Sequence, residues 1–148
     1  MAMPPLSLKG RALRLLSGRE YSRAELEKRL QSYEEEPGSL ALALDDLQSK
    51  GFISEQRVLE SVVHRRASKL GASRIRQELH SKGLAPEAVA QAVDQLRATE
   101  LERAKEVWRK KFAEPALDPA GRAKQMRFLA ARGFGGDTIR RVVAGDDD

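Results

Sequence analysis

The chain has 148 residues, with 27 Lys and Arg against 22 Asp and Glu, a net charge of +5 and an isoelectric point near 9.7. A polyanion or an acidic protein surface is therefore the partner class that its charge favours. The absence of cysteine excludes disulfides, thiolate zinc sites and cysteine nucleophiles, and no apolar run approaches the roughly 20 residues that span a bilayer.

Helix is the default for this composition, since aromatics make up only 5% of the chain and charged residues 33%. In chain order, apolar spacing and breakers predict helices over 8–17, 22–33, 38–50, 54–69, 73–82, 86–97, 99–113, 119–132 and 136–144. Ser22 with Glu25 forms a capping box at the start of the second helix. The stretch EEEPG, residues 34–38, stands where the other units have a tight glycine turn. Gly71 is expected to end the fourth helix in the left-handed conformation, with Ser73 capping the fifth. Gly83 stops the fifth helix, Pro86 and Glu87 suit the first turn of the sixth, and Gly133 and Asp137 do the same two jobs at the end of the chain. The longest irregular piece is EPALDP, residues 114–119, and the tail GDDD, residues 145–148, reads as frayed.

These elements repeat. With Leu30, Leu79 and Leu129 in register, the residues four earlier are Leu26, Ile75 and Gln125. Those ten later are Leu40, Val89 and Ile139, and those fourteen later are Leu44, Val93 and Val143. Seventeen residues upstream stand Leu13, Val62 and Phe112, so an earlier helix belongs to every unit. The expected architecture is all-α: an elongated, curved array of three tandem three-helix repeats at 1–51, 52–98 and 99–145, with an acidic tail at 146–148. A three-helix unit of this size has little core of its own, so neighbouring units or a partner are needed to complete it.

Positive charge is not evenly spread along the array. Residues 1–51 carry eight basic and eight acidic residues, 52–98 eight and five, and 99–148 eleven and nine, of which three acidic residues are the tail. The candidate binding face accordingly lies on the second and third repeats. It comprises Arg65, Arg66, Lys69, Arg74, Arg76, Lys82, Arg109, Lys110, Lys111, Arg122, Lys124, Arg127, Arg132, Arg140 and Arg141. Ile75 and Leu79 face inward on the fifth helix and leave Arg74 and Arg76 on its flanks, available to phosphate or carboxylate. Each cluster taken singly also fits a solubilising surface.

No catalytic constellation is complete. His64 and His80 are the only histidines and read as surface or groove-edge residues, without metal-ligand spacing. There is no phosphate-binding glycine loop, and Gly135-Gly136 reads as a turn. Asp45 and Asp46 read as a solvated helix face. Trp108, Phe112 and Phe128 read as core of the third repeat. Neither cofactor nor metal is expected, and the protein reads as soluble, cytoplasmic and without a membrane contact; its N-terminal MAMPPLSLKGRAL lacks a signal peptide's apolar core.

The order YSRAELEKRL, LQSKGFISEQRV, LGASRIRQELHSKGL, KKFAEP and KQMRFLAARGF resembles the bacterial RecX regulatory proteins over nearly the whole chain. In their GY-x-x-D-x-R-like segment an aromatic usually follows the Arg, whereas Val58 follows Arg57 here. The resemblance implies tandem three-helix repeats in a monomer that acts without chemistry of its own. It implies binding to the RecA recombinase and to its filament on single-stranded DNA. Filament growth, ATP hydrolysis and strand exchange would be dampened, in DNA repair, homologous recombination and the SOS response.

Direct DNA contact would be weak and sequence-independent, because a basic face with scarce aromatics holds phosphates and offers few platforms for bases. Two other readings stay open. A helix-turn-helix protein would use a helix such as 86–97, whose Glu87–Ala92 stretch is mostly small and apolar, or 137–141, which is short. A passive helical scaffold would bind neither DNA nor recombinase.

Overall fold

The computed structural model describes residues 5–145, so the acidic tail at 146–148 lies outside the described residues. Among these it contains nine α-helices and no strand. They are α1 (Leu8–Gly18), α2 (Arg23–Leu30), α3 (Ser39–Ser49), α4 (Glu55–Arg66), α5 (Ala72–Ser81), α6 (Pro86–Ala98), α7 (Glu100–Lys111), α8 (Pro119–Ala131) and α9 (Gly136–Ala144). The fold is thus all-α and built of tandem three-helix repeats. A 3₁₀ turn, Gln31–Tyr33, extends α2.

The repeat columns explain why these segments are helices. All twelve residues at the four columns around Leu30, Leu79 and Leu129 are buried, so each repeat turns the same stripe of its second and third helices inward. Gln125 keeps its place in the stripe at 5% exposure, because its Oε1 accepts from Trp108 Nε1 at 3.2 Å while its Nε2 donates to the Glu114 carbonyl at 3.1 Å. A leucine there would leave the buried indole N–H without an acceptor. The upstream column holds less well. Val62 is fully buried, but Leu13 is 37% exposed, its place in the core taken by Ala12, and Phe112 lies just past the end of α7.

By packing, the chain divides into two compact units. One runs to Ser61 and takes in Lys82–Leu84; the other comprises Val62–Ser81 and the chain from Ala85 onward. The three-repeat boundaries stand beside this division as a proposal. In the first unit Tyr21, Leu26, Leu30, Leu40, Leu44, Leu47 and Ile53 form the core with Ala12. In the second, Ala104, Val107, Trp108, Leu129, Phe134, Ile139, Val142 and Val143 form a core cluster, against which Phe112 and Phe128 pack partly buried.

The Ser22–Glu25 capping box is present, and Glu25 also accepts from Arg19 at 2.9 Å and Lys82 at 3.1 Å. Burial opposes the ionisation of Glu25, but the hydrogen bonds from Arg19, the Ser22 N–H and Lys82 outweigh it and hold its carboxyl at about 2. A carboxyl depressed in the folded state stabilises above its unfolded value and loses that contribution as pH falls. Glu25→Gln is therefore expected to cost about 2 to 3 kcal/mol at pH 7, a gap that closes between about pH 4.5 and pH 2. Urea unfolding of both proteins across that window checks it; a gap constant with pH would contradict it.

Two local expectations need correction. Gly71 does not adopt the left-handed conformation; the glycines that do are Gly38, Gly51, Gly83, Gly133 and Gly145. What position 71 requires is the absence of a side chain. A Cβ there would lie 2.3 Å from the Gly133 carbonyl oxygen, and its N–H donates to the Arg132 carbonyl at 2.8 Å. Nor does Ser73 cap α5, which already begins at Ala72. The Ala72 N–H is met instead by the buried Glu100 carboxylate at 2.8 Å, whose other oxygen faces the Gly135 N–H at 3.5 Å. One carboxylate thereby serves the N-terminal ends of both α5 and α9.

The EEEPG stretch holds Gly38 at φ 87° as the residue preceding α3, and Glu34 accepts from the Leu40 N–H at 2.8 Å. Val58, where the resemblance leads one to expect an aromatic, is buried. Arg57 next to it donates to the Gly51 carbonyl at 2.7 Å and to Glu20 at 2.8 Å.

Candidate cationic groove

In the second compact unit the connection after α4 runs past the last turns of α7 and α8. Arg103, in the first turn of α7, ties that connection to the start of α7 and the end of α6. Its guanidinium donates to the carbonyls of Ala67 at 2.9 Å, Leu70 at 2.8 Å and Leu96 at 2.8 Å, and its Nε to Thr99 Oγ1 at 3.0 Å. Burial pushes the Arg103 guanidinium below the usual arginine value, with the nearby Glu100 carboxylate opposing that shift. Arg74, from the first turn of α5, donates to the Ala131 carbonyl at the end of α8 at 2.7 Å.

These anchors frame a groove of about 610 Å³ lined by Ser68, Lys69, Leu70, Arg74, Val107, Lys110, Lys111, Phe128, Ala131 and Arg132. Five of the lining residues are cations and none is an acid, while Leu70, Val107, Phe128 and Ala131 make an apolar floor. Phe128 packs perpendicular to Phe112, with ring centroids 5.2 Å apart at 83°. The Arg132 guanidinium lies 3.7 Å from the Phe128 centroid, and Lys111 Nζ lies 5.9 Å from it. A guanidinium stacked on a ring keeps its in-plane N–H groups for a carboxylate or phosphate, so the stack positions Arg132 without consuming its donors. The volume falls within the range of pockets that take a small molecule or the side chains of a bound segment.

The groove gathers Lys69, Arg74, Lys110, Lys111 and Arg132 from the sequence-derived set; the rest lie elsewhere. Arg65, Arg76, Lys124 and Arg127 are exposed and make no ion pair among the described residues. Arg141 is half-buried. Arg66 pairs with Glu78 at 3.0 Å, Arg109 with Glu106 and Arg140 with Asp137. Arg122 donates to the Leu117 carbonyl at 3.1 Å and so ties down the 112–118 loop. Lys82 belongs to the first compact unit, where its largely buried ammonium pairs with Glu25.

Phe128 is the residue whose role the sequence under-read. It packs on the core as expected, yet it also lines the groove, and the signal was its i,i+4 spacing to Arg132. Trp108 is core, as its spacing indicated. His64 and His80 are exposed, and no group of three His, Asp or Glu among the described residues is placed to hold a metal ion. Asp45 pairs with Arg23 at 2.6 Å, and Asp46 pairs with Lys9 and Lys50 at 2.9 Å each. No helix among the described residues is long and apolar enough to cross a membrane.

Comparison with known proteins shows what the chain as a whole is similar to. Residues 54–93 match the family model for the second three-helix domain of RecX, and residues 98–143 that for the third. The chain is 52% identical over 140 residues to the regulatory protein RecX of Leptothrix cholodnii, covering 95% of this chain and 89% of that one. It is 48% identical to the regulatory protein RecX of Herbaspirillum seropedicae, covering 96% of this chain and 92% of that one. The crystal structure of RecX from Lactobacillus salivarius superposes with a TM-score of 0.74 at 20% identity, over 95% of this chain and 94% of that one, which establishes likeness of fold.

Proposed function

We propose that this chain, which belongs to the RecX family of regulatory proteins, binds the RecA recombinase and its filament on single-stranded DNA and lowers recombinase activity without catalysing a reaction itself. The observation that carries the reading is the convergence of five cations, drawn from α5, α7, the residue that follows α8 and the segment after α4, on one groove without an acidic residue. Such a site attracts an acidic surface and holds it by charge-assisted hydrogen bonds. In this reading the repeats lie along the filament and disturb the subunit interface at which ATP is hydrolysed. Exposed Arg65, Arg76, Lys124 and Arg127 add a weak, sequence-independent contact to bound DNA. The protein works in the cytoplasm as a monomer and needs no cofactor.

Lys69 and Lys110 are exposed and unpaired among the described residues, so reversing both leaves the fold's own bonds in place. Lys69→Glu with Lys110→Glu is expected to raise the protein needed for half-inhibition of the recombinase's DNA-dependent ATPase by roughly tenfold or more. Unchanged inhibition by a folded double variant would remove the groove from the mechanism. A sequence-specific footprint on duplex DNA would replace this reading with the helix-turn-helix one.

A further inference from the structure

We infer that the groove at Lys69, Arg74, Lys110 and Arg132 takes an acidic peptide segment that carries an apolar side chain, rather than a nucleic-acid backbone. The inference rests on the preceding reading of the groove as a docking surface and adds the chemistry of what docks. Three observations on the groove decide between the two occupants.

Its floor is apolar, with Leu70, Val107 and Ala131 beside the Arg132-covered Phe128 ring, and a phosphodiester backbone has nothing to bury there, whereas a leucine or phenylalanine between acidic residues does. The one aromatic ring that lines it carries a guanidinium 3.7 Å from its centroid and stands perpendicular to Phe112 at 5.2 Å, so a base would have to displace Arg132 to stack on that face. Finally, the cations differ in kind. Arg74 and Arg132 are held in position, one by the Ala131 carbonyl and one by the Phe128 ring, and present forks that suit carboxylates bidentately; Lys69 and Lys110 are exposed charges without a side-chain partner among the described residues. Fixed forks beside an apolar floor match alternating acidic and apolar side chains. A backbone carrying charge alone would need only the lysines.

The test uses the full-length protein and fluorescence anisotropy. The probes are a short fluorescein-labelled peptide of Asp and Glu around a central Leu, the same peptide with Ser for Leu, and labelled oligothymidylate, all at near-physiological salt. The expected result is that the Leu peptide binds tightest, that the Ser peptide binds about tenfold more weakly, and that Lys69→Glu with Lys110→Glu weakens the Leu peptide by roughly tenfold or more. Circular dichroism and the urea midpoint confirm that the variant is folded. Tighter binding of oligothymidylate than of the Leu peptide, equal binding of the two peptides, insensitivity to the charge reversal, or no peptide binding each overturns the inference. The recombinase assay separates it from the reading on which it rests. If charge reversal abolishes inhibition while the peptide fails to bind, the docking surface stands and the peptide chemistry falls. If the peptide binds while inhibition is indifferent to the reversal, the groove has this chemistry but a different partner.

Discussion

Gly71→Ala is expected to lower the unfolding free energy by about 3 to 4 kcal/mol, with Gly133→Ala at least as severe. At position 71 the backbone conformation is open to any residue, yet a Cβ would stand 2.3 Å from the Gly133 oxygen, 2.4 Å from its carbonyl carbon and 2.5 Å from the Phe134 nitrogen. All three are backbone atoms, and the Gly71 N–H bond to the Arg132 carbonyl holds the two segments at that distance. Room can be made only by separating them. Gly133 combines a left-handed conformation, φ 89°, which costs another residue about 1 to 2 kcal/mol, with contacts of 2.3 and 2.7 Å to Arg74. Gly145→Ala is the control. Its φ is 76° but nothing lies within 4 Å, so only the conformational cost of about 1 kcal/mol applies. Urea midpoints of the three variants at an unchanged m-value give the ranking; a Gly71→Ala protein as stable as Gly145→Ala would show that the close approach does not exist.

The second large effect concerns the buried Glu100 and the partly buried Arg103. Glu100→Ala leaves the Ala72 N–H buried without an acceptor and is expected to cost about 2 to 3 kcal/mol, whereas Glu100→Gln keeps an oxygen there and costs less than about 1. Arg103→Ala frees the carbonyls of Ala67, Leu70 and Leu96 together and is expected to cost about 3 kcal/mol; Arg103→Lys recovers less than half, since a single ammonium cannot span them. Amide exchange resolves these losses by position. Glu100→Ala should unprotect Ala72 while amides of the first compact unit stay as they were. Uniform loss of protection along the chain, or none at Ala72, would contradict the clamp. Because Ala67 and Leu70 flank the groove-lining Ser68 and Lys69, the Arg103 variants should also weaken partner binding, although Arg103 is outside that lining.

What was legible in the sequence was what repeats or acts locally. Leucine and valine columns some 50 residues apart gave the inward stripes, and Ser22 with Glu25 gave a cap, because burial and capping are decided within a helix and its next turn. Gly83 and Gly133 are legible as helix stops for the same reason, and the structure adds that both take the left-handed conformation there. Gly71 was read for the wrong property, since the neighbour that excludes a side chain lies over 60 residues away in sequence. Glu100 was invisible as the cap of α5 on equal grounds: it acts on a helix that starts 28 residues earlier. The candidate site shows the same division. Charge counts located the basic repeats, but only packing distinguishes Lys110, at the groove, from Arg109 next to it, which spends its charge on Glu106, or from Lys82, whose ammonium is largely buried against Glu25.

The central claim, a regulator directed at the recombinase filament, is tested most directly by titrating this protein into the cognate RecA on single-stranded DNA. ATP hydrolysis is followed from well below to above equimolar, with binding of this protein to the same DNA alone measured in parallel. The account predicts inhibition at ratios well below one protein per recombinase and at concentrations where bare DNA is unoccupied. Inhibition that sets in only once enough protein is present to coat the DNA would contradict it, and would make competition for the polyanion the whole effect.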